Sequence, residues 1–145
     1  MKIVIQRVRQ TSVIVREKKI ASIRRGLLLL VGIDESDTEE TVHSMVNKVL
    51  KFRIFSDNQG KMNHSVLDIG GEILLVPNFT LSATTQNGNR PSFAKAAPPG
   101  KAEMLFDKMY SEFSKSIETQ KGQFGADMDV KLLNDGPVTF ILQNE

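Results

Sequence analysis

The chain has no cysteine and no tryptophan, a single tyrosine, and two histidines, His43 and His64. Without cysteine there is no disulfide framework, no thiolate metal site and no thiol nucleophile. Two histidines also argue against a histidine-rich metal centre, so neither a metal nor another cofactor is expected. Long apolar runs are missing as well. The opening MKIVIQRVRQ alternates polar and apolar residues and reads as neither a signal peptide nor a membrane span; no membrane association and a cytoplasmic location are the expectations. The familiar catalytic signatures are absent too: GxSxG, a P-loop, HExxH and the dinucleotide-binding glycine pattern do not occur. An enzyme with so few reactive side chains must take its reactive group from the substrate or polarise the substrate with main-chain N–H donors. A ribose hydroxyl beside an ester would supply such help by proximity.

What is present suits one soluble α/β domain spanning 1–145. The 145 residues are 40% hydrophobic and 25% charged, with a net charge of +2. Lys2, Arg7, Arg9, Arg16, Lys18, Lys19, Arg24 and Arg25 crowd the first segment against Glu17 alone. This bias reads either as a phosphate-facing surface or as the solvated, protective face of edge strands. Residues 2–9 alternate and 12–16 resemble a second strand, with KKIASI a short third; GLLLLVGI (26–33) has the continuous apolar character of a central strand buried on both faces. The period then changes. Asp37 and Glu40 form a capping-box candidate, and Val42, Met45, Val46, Val49 and Leu50 predict a helix over about 38–51. FRIF and EILLVPNFTL suggest further strands, and residues 82–100 a long ordered loop near a site. After Pro98-Pro99, Ala102, Leu105, Phe106, Met109, Phe113 and Ile117 share a helical face. The C-terminal part predicts two or more strands around Gly136-Pro137, whose turn-like LLNDGPVTF reads as a hairpin corner or as a rigid recognition element. Asp57, Asp68, Asp127, Asp129 and Asp135 suit turns and caps.

Three segments, VPNFTL (76–81), GNRPSF (88–93) and NDGPVT (134–139), stand with IQRV (5–8), KMNHSVLDIGG (61–71) and FGADM (124–128) in an order that resembles the D-aminoacyl-tRNA deacylase family of the bacterial and eukaryotic type. The resemblance spans residues 1–143. It implies a mixed, barrel-like sheet with two main helices, and a homodimer acting on aminoacyl-tRNA. The implied activity is hydrolysis of the ester that joins a D-amino acid, or mischarged glycine, to the terminal adenosine. It further implies that Gly136 and Pro137 form a cis pair reaching into the partner's site to reject L-amino acids. Arg7, Asn134 and Thr139 would support that motif; Asn78, Phe79 and Thr80 would form the catalytic segment, and Phe79, Phe124 and Met128 the adenosine pocket. The family's first motif ordinarily reads Ser-Gln-Phe-Thr-Leu, whereas this chain has Pro77-Asn78 in place of Ser-Gln. A serine-dependent mechanism is thereby excluded, and Pro77 removes a main-chain donor. Asn78 keeps an amide on a stem one methylene shorter. Thr80 reads as electrostatic or structural support, since no base lies beside it in sequence to make it a nucleophile. Arg90 suits a phosphate or inter-subunit contact. His43 suits a surface or packing role, and His64 is given no proton-transfer role. The competing functions are a tRNA-end binding protein impaired in catalysis, a general esterase or peptidase, and a purely structural dimer.

Overall fold

A computed structural model describes residues 1–144. Its organising element is β1 (Lys2–Val15), a single strand where two were expected. Tight reversal comes only at Arg16 and Glu17, both with positive φ, before β2 (Lys18–Ile23) returns antiparallel along Thr11 to Val15. The other half of the same edge, Lys2 to Val8, pairs with β3 (Gly26–Gly32). Across its opposite edge β1 pairs antiparallel with β8 (Asp129–Gln143). Further strands extend the sheet from β3: β6 (Glu72–Pro77) is parallel to it, and β7 (Thr119–Lys121) is parallel to β6. Ser22 N–H donates to Gln120 Oε1 at 2.8 Å, which brings β2 back towards β7 and leaves the sheet a nearly closed barrel. A two-stranded piece, β4 (Phe55–Ser56) and β5 (Met62–His64), lies apart from it.

Period-two alternation sorts the strands into two cores. Ile3, Ile5, Leu27, Leu29, Ile73 and Leu75 point outward beneath α1 (Glu39–Lys51) and α2 (Pro99–Ser114). Val8, Val13, Leu28, Leu74 and Val76 fill the barrel interior. The expected two-faced burial of β3 follows from this, and each fully buried leucine contributes roughly 1.5–3 kcal/mol. The helical stripe of α1 is also as expected, but its cap is not. Thr38 and Thr41 form the reciprocal box, because Asp37 is drawn inward to the Met1 ammonium at 2.8 Å and is fully buried. Ile117 packs against the outer core from beyond the end of α2. Only the end of FRIF is a strand, since residues 52–54 form no ladder.

Candidate functional site

Strands β3, β6 and β7 run parallel, so their carboxyl ends gather at one edge, the usual place for a ligand crevice in such sheets. At that edge β6 stops at Pro77 instead of running on to Leu81 as expected. Proline has no N–H for a ladder, and the chain turns into a single 3-10 segment, Phe79–Ser82. Gly32 at the end of β3 makes room for it: a Cβ there would lie 2.8 Å from Leu81 Cβ and 3.3 Å from Asn78 O. Sequence reading missed Gly32, whose only signal was a small residue closing an apolar run.

Within the turn, Asn78 N–H donates to Val31 O at 2.8 Å and Leu81 N–H to Asn78 O at 3.2 Å. Asn78 N–H is therefore already committed. A 3-10 turn has no internal acceptor for its first N–H groups, here Phe79 and Thr80. Thr80 is exposed, not a buried strand residue, and its hydroxyl donates to Asn78 Oδ1 at 2.6 Å. An amide oxygen is no base at neutral pH, so this contact orients the threonine without activating it. The Phe79 ring is 60% exposed and tilts against Phe93 with centroids 5.1 Å apart. Phe124 and Met128 follow β7 at the same sheet edge. Phe124 packs on Phe106 of α2, and a Cβ at Gly122 would sit 2.7 Å from Met128 Sδ and 3.6 Å from Pro77 Cδ.

The second constellation is built on β1 and β8. β8 is one strand through Gly136-Pro137 where two or more were expected, and the hairpin-corner alternative falls with it. Instead the ladder skips: Val8 faces Asn134 and Gln6 faces Thr139, leaving residues 135–138 opposite Arg7. The Gly136-Pro137 peptide in this bulge is cis, and both residues are exposed. Three side chains brace it. Asn134 Nδ2 donates to Arg7 O at 2.9 Å and to Val138 O at 3.0 Å, tying both ends of the excursion. Arg7, only 9% exposed, donates from Nη1 to Ile54 O at 2.8 Å and from Nε to Asp135 O at 3.2 Å. Asp135 pairs through Oδ2 with Arg7 and through Oδ1 with Arg9, each at 3.3 Å. Thr139 Oγ1 accepts from Gln6 Nε2 at 3.3 Å. Read from sequence as a turn residue, Asp135 is thus part of the brace; its partner arginines lie over a hundred positions away.

Turn and corner lie apart in the chain. Lys2 faces Gly32, and its Nζ donates to Leu81 O at 3.2 Å, placing the turn at the start of β1. The corner lies opposite Arg7, five residues or about 16 Å further along the strand at the usual rise per residue. Of the basic N-terminal residues, Arg7 and Arg9 hold Asp135, Arg24 pairs with Glu72, and Arg16, Lys18 and Lys19 lie at the turn between β1 and β2. His43 Nδ1 contacts Glu112 Oε2 at 3.1 Å on the helix layer, away from both constellations. No group of three or more His, Asp or Glu residues is placed to hold a metal among the described residues.

The fold is thus a nearly closed α/β barrel with an uncharged turn, Phe79–Ser82, at the carboxyl ends of its parallel strands. The chain belongs to the D-Tyr-tRNA(Tyr) deacylase family, whose sequence model matches residues 4–143. Its similarity to the D-aminoacyl-tRNA deacylase of Sulfurihydrogenibium sp. is 51% identity over 98% of this chain and 97% of that one. To the D-aminoacyl-tRNA deacylase of Saccharophagus degradans it is 52% over 98% and 99%. Among solved structures, one described as c-Myc DNA Unwinding Element Binding Protein superposes with a TM-score of 0.95 at 40% identity, over 100% of this chain and 99% of that one. A probable eukaryotic D-amino acid tRNA deacylase superposes with a TM-score of 0.84 at 16% identity over 97% of each, a likeness of fold.

Proposed function

We propose that the protein hydrolyses the ester between a D-amino acid, or glycine, and the 3′-terminal adenosine of tRNA. The acting form is a homodimer in which the Gly136-Pro137 corner of one protomer faces the Asn78–Thr80 turn of its partner. One observation carries this reading: a tightly braced, solvent-exposed main-chain corner stands about 16 Å along β1 from the Asn78–Thr80 turn of its own chain. Rigidity of that kind has a use where something from outside must be measured against it.

Chemically, the adenine lies against Phe79, with Phe124 and Met128 lining the pocket behind it. Phe79 and Thr80 N–H groups donate to the ester carbonyl oxygen as negative charge develops on it. Water attacks the carbonyl carbon and passes a proton by way of the neighbouring ribose 2′-hydroxyl to the 3′-oxygen; the ester C–O bond breaks, and the amino acid and the free 3′-hydroxyl of the tRNA are released. Thr80 Oγ1, its proton held by Asn78, presents lone pairs to the substrate's donors. An L-side chain would collide with the partner's corner, a D-side chain would point away from it, and glycine has nothing to collide. Collision discriminates more strongly than lost apolar packing, which is limited to about 1–3 kcal/mol per methylene.

The test is turnover of D-tyrosyl-tRNA, L-tyrosyl-tRNA and glycyl-tRNA by purified protein. Release from the D- and glycyl-tRNAs alone is expected. Equal release from both enantiomers would refute the filter, and binding without release would favour a tRNA-end binding protein.

A further inference from the structure

Phe93 is not among the residues given to the adenosine pocket or the corner, yet it is 41% exposed and packs at 5.1 Å against Phe79, which at 60% is exceeded only by Ile141 among the exposed large apolar side chains of the described residues. Two exposed, contiguous aromatic rings on a surface of this size are unusual without a ligand, because their burial would otherwise stabilise the fold. The segment that carries Phe93 is held on both sides by main-chain bonds. Thr84 and Ser92 exchange N–H···O bonds at 2.8 and 3.0 Å, closing residues 85–91 into a loop. Beyond it, Ala96 N–H donates to Phe93 O at 3.0 Å, and Glu35 N–H to Lys95 O at 2.9 Å. Phe93 is therefore presented on a fixed platform. Arg90 and Lys95, three residues before and two after it, are exposed and form no ion pair among the described residues.

We propose that Phe93 is the stacking surface for the base preceding the terminal adenosine, and that Arg90 and Lys95 hold the phosphate between the two nucleotides. The inference rests on the deacylase reading and extends it from a nucleoside to a single-stranded RNA end. Aromatic rings stack bases without regard to sequence, and unpaired cations beside them follow the backbone; this is the general recipe for binding single strands. The Phe79–Phe93 pair then spans two successive bases, which separates a tRNA end from free aminoacyl adenosine.

The experiment compares two D-tyrosyl esters, one of adenosine and one of the dinucleotide cytidylyl-adenosine, with wild type, Phe93→Ala, Phe93→Leu and Phe93→Trp. Wild type should have the lower KM for the dinucleotide ester. Phe93→Ala should erase this preference, raising that KM roughly 5- to 100-fold, the range typical of one base stacked on a ring. The adenosine ester should be turned over as before. Phe93→Leu keeps the apolar contact with Phe79 but has no ring, so it should behave as Phe93→Ala, whereas Phe93→Trp should restore the preference. Arg90→Ala with Lys95→Ala should raise KM for the dinucleotide ester alone and flatten its salt dependence. An unchanged ratio of the two KM values in Phe93→Ala, or an equal fall in kcat on both esters, would overturn the inference. Wild type that turned over neither ester would instead refute the deacylase reading itself, and this inference with it.

Discussion

Replacing Arg7 by lysine separates the brace from the charge. The guanidinium meets two main-chain acceptors in different segments, Ile54 O through Nη1 at 2.8 Å and Asp135 O through Nε at 3.2 Å, and pairs with Asp135 Oδ2 at 3.3 Å. An ammonium keeps the charge but cannot fork to both segments. The contact to Ile54 O is buried and charge-assisted, a kind that contributes about 1.5–3 kcal/mol, and an acceptor left dry costs a comparable amount. The contacts to Asp135 are longer, and Arg9 retains part of the hold on that carboxylate, so they contribute less. Arg7→Lys should then cost about 2–3 kcal/mol, and Arg7→Ala about 3–4 kcal/mol because it leaves Asp135 without its buried partner. Urea unfolding at one fixed protein concentration measures this, since the stability of the proposed dimer would depend on concentration. In the folded variant the corner is loosened, and the ratio of D- to L-tyrosyl-tRNA turnover should fall at least tenfold. A midpoint shift equivalent to less than about 0.5 kcal/mol would refute the bracing role. A full loss of stability with an unchanged D/L ratio would refute the link between brace and selectivity.

Thr80→Val should keep most of the activity, because in the proposed mechanism the hydroxyl does not attack. Thr80→Pro, which removes the second free N–H of the turn, should lower kcat by about a hundredfold or more, as loss of an oxyanion donor does. Trapping an acyl group on Thr80 would contradict this assignment. Gly136→Ala places a Cβ 2.6 Å from Val138 Cγ2 and 2.9 Å from Val138 N at a φ of +136°, so the corner must shift. L-tyrosyl-tRNA turnover should rise at a stability cost of about 1–3 kcal/mol. Burial by itself would raise the Asp34 carboxyl, but the Met1 ammonium at 2.8 Å holds it below its ordinary value of 3.8. The stability it contributes is present above that ordinary value and is lost as pH falls through the depressed one. Acid titration of unfolding should therefore show a smaller loss in Asp34→Asn than in wild type over that window.

Much of the fold was legible because it rests on periodicity. The leucine run of β3 and the stripes of α1 and α2 carry their burial in their own spacing. What was not legible depends on partners remote in sequence. Asp37 reads as a cap until the Met1 ammonium is found beside it. The LLNDGPVTF stretch has hairpin chemistry, but β1 supplies a ladder on both sides of the bulge and Arg7 fills it, so the strand continues. The EILLVPNFTL run looks uniformly strand-like, and only the missing N–H of Pro77 marks where the ladder ends. Resemblance supplied the candidate site residues, and the structure adds their separation: Phe79, Phe124 and Met128 gather at one sheet edge, Gly136 and Pro137 at a distance.

That separation sets the most direct test of the two-protomer site. Gly136→Ala protein, with its own turn intact, is refolded with an excess of a protomer that carries a wild-type corner but is inactivated by Thr80→Pro. Nearly every working turn then sits opposite a partner's intact corner. Turnover of L-tyrosyl-tRNA should vanish while turnover of D-tyrosyl-tRNA persists. L-tyrosyl-tRNA turnover that survives the excess would mean that each protomer filters with its own corner, and would contradict the account.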